Sequence, residues 1–523
     1  MLNRRRQKSL GNAKAAFLLL LFSLGGCSSL PPRNTQYSMP PPDVLKSPLY
    51  QDVEALGKKH QGDSGFELLS DGMDALAVRM KLIQRSEVSL DVQYYIWHDD
   101  LIGQVMANQI LAAADRGVFV RMLLDDLDTS GKDRPLRILD HHPNIEVRLF
   151  NPFPSRSLRW TGFIRDGSRL NRRMHNKSIT ADGALTVVGG RNIGDEYFNA
   201  SHEVRFSDID VLGVGPIALN VRANFNQYWD SMYSYPIAQL VDLEEDMDAA
   251  LNTLRDRSDT NYQLALTSEY ADAVRARWDI VGRIDASRKV NWGDWRLFID
   301  SPEKIGTDEI AEETHIAPRL LEVLDQAENE ILLISPYFVP GKQFTKFLVD
   351  KVRQGKRVKI MTNSLAANDV AMVHGGYKKY RRDLVEGGVA LYEFKANPYL
   401  PEAERVKLSW IADTRASLHG KYFVLDGKQL FVGSFNLDPR SVALNTEMGI
   451  LYEDPQTASN IAQTFDQYAS VVGYRIQLDE DDDLTWMTLE DGVQQIYHSE
   501  PQTSWWQRLF LSVASWFVPE SQL

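Results

Sequence analysis

Short, continuous apolar runs separated by stretches of helical periodicity set the pattern of this chain. Val118-Phe119-Val120-Arg121-Met122-Leu123-Leu124 is a run of strand length, rich in β-branched residues, and Gly103 to Arg116 before it repeats apolar residues three and four apart. Strands that are apolar on both faces and alternate with helices predict an α/β fold, a mixed sheet covered by helices. The pattern occurs twice. AADRGVFVRMLLDD (113–126) parallels DKVRQGKRVKIMTNS (350–364), VSLDVQYYIW (88–97) parallels ILLISPYFV (331–339), and IEVRLFNPF (145–153) parallels VALYEFKANP (389–398). Two similar lobes are therefore expected, at 65–234 and 317–478, packed as a pseudo-twofold pair. Residues 235–316 read as a connection with helical segments, and 479–523 as an acidic and interfacial tail.

Composition agrees with that division. A chain of 523 residues, 43% hydrophobic and 25% charged, can bury two ordinary cores. The acidic runs DLEEDMD (242–248) and DEDDD (479–483) read as solvated edges. A net charge of −13 argues against a nucleic-acid partner.

Inside the repeat lies a smaller one with chemical content. His175, Lys177, Asp182, Gly189 and Asn192 recur at the same offsets as His419, Lys421, Asp426, Gly433 and Asn436. MHNKSITADGALTVVGG and LHGKYFVLDGKQLFVGS both read as strand, Asp-Gly turn, strand. Side chains at i and i+2 of a strand share a face, so each histidine and its lysine point into one space. An ammonium beside an imidazole repels a metal cation but favours an oxyanion. Two imidazoles can divide substitution at phosphorus, one attacking while the other protonates the leaving alkoxide. The lysines, Asn192 and Asn436 would hold the phosphoryl oxygens. Asp182 and Asp426 are catalytic candidates, with turn building as the alternative.

His-x-Lys-x4-Asp followed by Gly-Gly-x-Asn or Gly-Ser-x-Asn, present twice, resembles the phospholipase D superfamily. LDVQYYIW (90–97), RLNRRMHNKS (169–178), GGRNIGDEYF (189–198), TNSLAANDV (362–370) and GSFNLDPRS (433–441) resemble bacterial cardiolipin synthases of the C type. The resemblance implies a phosphatidyltransferase that works through a phosphohistidine without metal or other cofactor. It makes His175 the nucleophile and His419 the acid and base. It further implies a carboxylate behind each histidine, matched by Glu447 in the second half and Asp208 in the first, with Asp210 and Glu203 as rivals. Phosphatidylglycerol would be the acceptor, and phosphatidylethanolamine or phosphatidylglycerol the donor. A hydrolytic phospholipase D using the same residues is the alternative, and a nuclease of the superfamily a more distant one.

The ends of the chain address the membrane. Five basic residues between Arg4 and Lys14, an apolar stretch from Ala15 to Leu24, and Leu24-Gly25-Gly26-Cys27 resemble a bacterial lipoprotein signal. Residues 1–26 would be removed, Cys27 lipidated, and 27–64 left as a Pro-rich tether on the periplasmic side of the cell envelope, with inner or outer membrane open. Loss of the signal would take the net charge from −13 to −18. A second membrane contact is expected at the aromatic segment Trp505 to Val518. Arg165, Arg169, Arg172 and Arg173, in a basic and aromatic stretch before the first motif, are candidate contacts for anionic headgroups. A protein partner stays open.

Overall fold

The computed structural model describes residues 30–34, 41–201, 205–267, 270–272, 290–398, 416–514 and 518–523. Cys27, the expected signal and Glu203 lie outside them.

Two mixed sheets form the body. The first has nine strands, in the order Asn291–Gly293, Ser64–Leu69, Asp210–Val214, Leu185–Gly189, Ser178–Ala181, Ser89–Tyr94, Phe119–Asp125, Ile145–Phe150 and Ser234–Pro236. Ser89–Tyr94, Phe119–Asp125 and Ile145–Phe150 run parallel, joined through helices Leu101–Asp115 and Asp133–Leu139, and the remaining pairings are antiparallel. The second sheet repeats this design around the parallel strands Glu330–Ile334, Arg357–Asn363 and Ala390–Phe394, with Lys421–Leu425, Gln429–Gly433 and Met448–Glu453 on one side. The two-lobed α/β expectation is met.

Each motif hairpin turns where the Asp-Gly pair predicts. Asp182 and Gly183 have φ of 51° and 61°, and Asp426 and Gly427 have φ of 53° and 62°. These are the left-handed values that a tight hairpin between right-twisted strands needs.

The expected boundaries shift at three places. The segment expected as a tether is folded onto the first lobe from Val44, with helix Pro48–Gly57 burying Leu49 and Val53 in its core, because those two residues, four apart, form an apolar helix face. Asn291–Gly293 closes the first sheet and Trp295–Ile299 closes the second, so the chain crosses between lobes at Asp294, inside the segment read as a connection. Trp295–Ile299 pairs with Met448–Glu453 just as Ser64–Leu69 pairs with Asp210–Val214. The expected tail is also built in. Gly473–Leu478, Leu484–Glu490 and Val493–Tyr497 extend the second sheet, and the acidic run forms the turn in which Asp479 accepts from the Asp481 and Asp483 amides. Leu523 is buried, and its carbonyl accepts from the Arg440 amide.

The lobes share a core. Phe66, Val188, Val211 and Ile217 of the first pack with Val424, Val432, Ile450 and Phe465 of the second, and Phe66 stacks on Tyr452 at 4.6 Å. Full burial of each such side chain is worth about 1.5–3 kcal/mol, so this seam is a core cut in half rather than a hinge.

The motif aspartates act on backbone. Asp182 accepts from the Glu87, Val88 and Ser89 amides at 2.7–3.0 Å and from the Ser47 hydroxyl at 2.6 Å. Asp426 repeats this with the Glu328, Asn329 and Glu330 amides at 2.7–2.9 Å. Each carboxylate pins the entry of the first parallel strand to the tip of the motif hairpin. That tip lies about 20 Å of strand rise from the histidine. The catalytic expectation for Asp182 and Asp426 is corrected to the turn-and-anchor role, because these carboxylates bind strand-entry amides and, at Asp182, the Ser47 hydroxyl, all at the hairpin tip away from the histidines. Asp426→Asn is expected to lower stability by about 1–3 kcal/mol in chemical denaturation while leaving turnover per folded molecule unchanged. Lost turnover at full stability would return Asp426 to the chemistry.

Candidate active site

The two histidines reach the seam on short extended segments, each docked on the opposite lobe. The His175 amide donates to the Thr446 carbonyl and the Thr446 amide to the Arg173 carbonyl, both at 2.9 Å. Ala416–Leu418 pairs in parallel with Arg205–Ser207, and the His419 amide donates to the Ser207 carbonyl at 2.8 Å. Each histidine thereby stands against the segment that carries the other lobe's carboxylate.

The pairing is crossed. His175 Nδ1 lies 2.8 Å from Glu447 Oε2, and His419 Nδ1 lies 2.5 Å from Asp208 Oδ2. Both carboxylates expected from the sequence are in place, and each serves the histidine of the other half. Asp210 is excluded as an orienting group, since its carboxylate is buried between Arg79 at 2.9 Å and Arg191 at 3.0 Å.

Glu447 has its own supports, which the motif reading missed. Ser434 donates to Oε2 at 2.5 Å, Ser441 donates to Oε1 at 2.7 Å, and the Glu447 amide is tied to Asp300, which pairs with Lys304. The signal was the Gly-Ser of the second motif against the Gly-Gly of the first. Ser434 supplies a hydroxyl to Glu447, whereas a Cβ at Gly190 would stand 2.2 Å from Asp208 Oδ1.

Lys177 and Lys421 are buried beside the rings, with Nζ 2.5 Å from the carbonyl of His175 and of His419 respectively. Tyr95 meets the His175 ring edge to face at 5.0 Å, and Tyr197 does so at His419 at 5.3 Å. Asn192 accepts from the Ile96 amide and donates to the Tyr197 hydroxyl at 2.9 Å, so part of its side chain serves the protein. Among the described residues, Asn436 Oδ1 is buried without a hydrogen-bond partner.

Electrostatics separate the two imidazoles. Burial, then the charges of Lys177 and Lys421, hold His175 well below the usual histidine range. Burial and Lys421 also lower His419, but Asp208 opposes them through its charge and its hydrogen bond. Burial alone would raise Asp208, yet His419, Lys421 and Arg191 outweigh it and hold that carboxyl down. Glu447 is raised by burial, and Lys177 only partly offsets this. Burial pulls Lys421 down to about 8. A neutral His175 that donates Nδ1–H to Glu447 presents an Nε2 lone pair, while His419 backed by an ionised Asp208 is the ring better able to carry a proton.

The arginines expected at the headgroup turn inward. Arg173 is bound to Asp125, Arg172 to Asp308 and the Thr307 carbonyl, and Arg169 to Asp166 and Asn151. Their charge is spent bracing the segment before His175, which corrects the headgroup assignment for these three. Arg165 is exposed on helix Trp160–Leu170. Beside it on the outward face, Trp160, Phe163 and Ile164 are exposed.

Asp208→Asn and Glu447→Gln should each lower turnover by about 10²- to 10⁴-fold with little loss of stability, read from phosphodiester cleavage and thermal melting. Lys421 carries its charge below about 8, so the hold on a phosphoryl oxygen expected of it would be lost as pH rises through that value. Burial lowers Lys177 well below the usual lysine range as well, so kcat/KM should fall above about pH 8 through both lysines, and Lys421→Arg, which stays charged, should reduce that limb without abolishing it. A profile flat to pH 10 would contradict the lysine's role.

The sequence profile of the family described as "Cardiolipin synthase, PLD-like domain" matches residues 80–229 and again 320–469. The chain is 42% identical over 467 residues to cardiolipin synthase C of Escherichia coli strain K12, covering 88% of this chain and 97% of that one. It is 24% identical over 390 residues to cardiolipin synthase B of the same strain, covering 74% and 76%. Among solved structures, phosphatidylserine synthase of Haemophilus influenzae superposes with a TM-score of 0.54 at 14% identity, over 88% of this chain and 97% of that one, a likeness of fold. With both motif halves inside the matched regions and one histidine in each, the chain belongs to the cardiolipin synthase family of phospholipase D-like enzymes.

Proposed function

We propose that this protein forms cardiolipin at the membrane by phosphatidyl transfer through His175. The observation that carries the reading is the crossed pair of histidine–carboxylate contacts around two buried lysines, a site built for one phosphate. Nε2 of His175 attacks phosphorus, the bond from phosphorus to the donor's headgroup oxygen breaks, and His419 gives that oxygen its proton. The hydroxyl of phosphatidylglycerol then passes its proton to His419 and attacks phosphorus, and the phosphorus–nitrogen bond breaks. Each half-reaction leaves the next proton where it is needed. The donor is phosphatidylethanolamine or phosphatidylglycerol. The 42% relative named cardiolipin synthase C supports transfer over the hydrolytic alternative.

Two helices support a membrane contact. Among the described residues no helix is long and apolar enough to cross a membrane. Helix Trp505–Ala514 buries Leu511 and exposes Trp506 and Phe510 at 64% and 72%, and helix Trp160–Leu170 exposes Trp160 and Ile164 at 63% and 76%. Short helices with aromatic outward faces suit the interfacial layer of a bilayer, and lipidated Cys27 would supply the anchor.

In liposomes of phosphatidylglycerol and phosphatidylethanolamine, mass spectrometry should detect cardiolipin with the parent protein and none with His175→Ala or His419→Ala. Histidine-dependent phosphatidic acid without cardiolipin would favour the hydrolase. Replacing Trp506, Phe510, Trp160 and Ile164 by serine should reduce liposome cosedimentation of protein lacking residues 1–29 by about tenfold or more, with melting temperature retained. Undiminished binding would remove the two-helix contact.

A further inference from the structure

Besides its added strands, the second lobe departs from the first in its helix packing, which the catalytic site does not require. In the first lobe helices Gly72–Arg85 and Leu101–Asp115 pack on one another, with a hydrogen bond from Gln84 to Gln109 at 2.9 Å. Their second-lobe equivalents are Ile316–Asp325, of 10 residues against 14, and Gly341–Arg353. Between these two opens a cavity of about 480 Å³. Its floor is the sheet, at Leu333, Phe423 and Phe431, and its sides are helix residues such as Leu320, Leu324 and Phe344. Gln343 and Asp438 are among its few polar neighbours.

Its position ties it to the phosphate site. Phe423 follows Lys421 by two residues on one strand, so the cavity floor continues the sheet face that carries the catalytic ammonium. Phe435 and Leu437, on either side of Asn436, line the cavity. The wall is firm there: the Val339 amide donates to the Leu437 carbonyl at 2.8 Å, and the Ser335 hydroxyl accepts from the Leu437 amide. A volume of 480 Å³ corresponds to about sixteen units of the ~30 Å³ that a water molecule takes up in the liquid, and a methylene is of similar size. A preformed apolar cavity of that capacity, separated by one loop from an oxyanion site, matches a molecule with a phosphate at one end and a long hydrocarbon chain at the other.

We propose that this cavity receives an acyl chain of the phosphatidyl group being transferred, the group whose phosphate is held by Lys177 and Lys421. The inference rests on the phosphatidyltransferase reading for the identity of that group. The donor's diacylglycerol stays attached to phosphorus through both half-reactions, so one seated chain would hold phosphorus before His175 while headgroup and acceptor exchange. It would also lift the chain out of the bilayer toward a buried site.

The cavity can be plugged without touching the catalytic groups. Gln343 is exposed at the rim, and Ala317 lies on the wall. Binding of cis-parinaroyl phosphatidylglycerol, followed by its fluorescence below the aggregation concentration, should be saturable and should weaken by about tenfold or more in Gln343→Trp and in Ala317→Trp. With dioleoyl phosphatidylglycerol in mixed micelles the same variants should lose about tenfold or more in kcat/KM, and with dihexanoyl phosphatidylglycerol they should stay within about twofold of the parent. Melting temperature is the folding check, and Gln343→Trp is the variant expected to pass it. Unchanged parinaroyl binding in a plugged and folded variant would overturn the proposal, as would equal losses on both substrates. Parinaroyl binding that plugging abolishes, in a parent protein that transfers no lipid, would support the acyl cavity and count against the transferase reading.

Discussion

The interaction on which the structure depends is the exchange of carboxylates across the seam. His175 is held by Glu447 and His419 by Asp208, so neither lobe contains a complete histidine–carboxylate unit. A buried imidazole needs a partner to fix which nitrogen is free, and here that partner arrives only when the lobes dock. The shared apolar core holds the docking in place, with Phe66 on Tyr452 and Val188 among second-lobe side chains. Duplication thus yields one site, with the active geometry as a property of the interface.

Symmetry in sequence does not produce symmetry in charge. The second motif has Ser434 where the first has Gly190, and Glu447 is a raised, shared carboxyl where Asp208 is a lowered, ionised one. His175 accordingly sits beside two ammonium groups with its proton directed at Glu447, and His419 sits beside an anion that favours its charged form. An attacking group should be neutral and a proton donor should be supportable as a cation, and those needs map onto the two sides. The same buried lysines that depress His175 are the groups that would receive the phosphoryl oxygens.

Much of this was legible in the chain because it is written locally. Paired offsets revealed the hairpins, the lysines and the two lobes, and the position before an apolar strand located Asp208 and Glu447. The crossing of the carboxylates was not legible, since it depends on how strand ends meet across 200 or more residues, as in the separation of 272 between His175 and Glu447. The role of Asp182 and Asp426 was undecided for a related reason: the amides they bind lie 93–98 residues away. Basic composition misled at Arg169, Arg172 and Arg173: Asp308 and Asp125, far off in the chain, meet the last two, and Asp166, one helical turn back, meets the first. On helix Trp160–Leu170 the exposed residues include Trp160, Phe163 and Ile164 beside Arg165.

In the proposed mechanism one covalent phosphatidyl-enzyme forms on His175, with His419 handling protons only. A diacylglycerol phosphodiester with a p-nitrophenyl leaving group needs no acid to depart, so His419→Ala should still be phosphatidylated but should turn over slowly without a base. Acid-free quenching and peptide mass spectrometry would locate the adduct. About one adduct per protein is expected, on the imidazole of His175, and none in the double variant lacking both histidines. An adduct on another residue, or none in His419→Ala with label found on His419 of a His175→Ala protein, would contradict it.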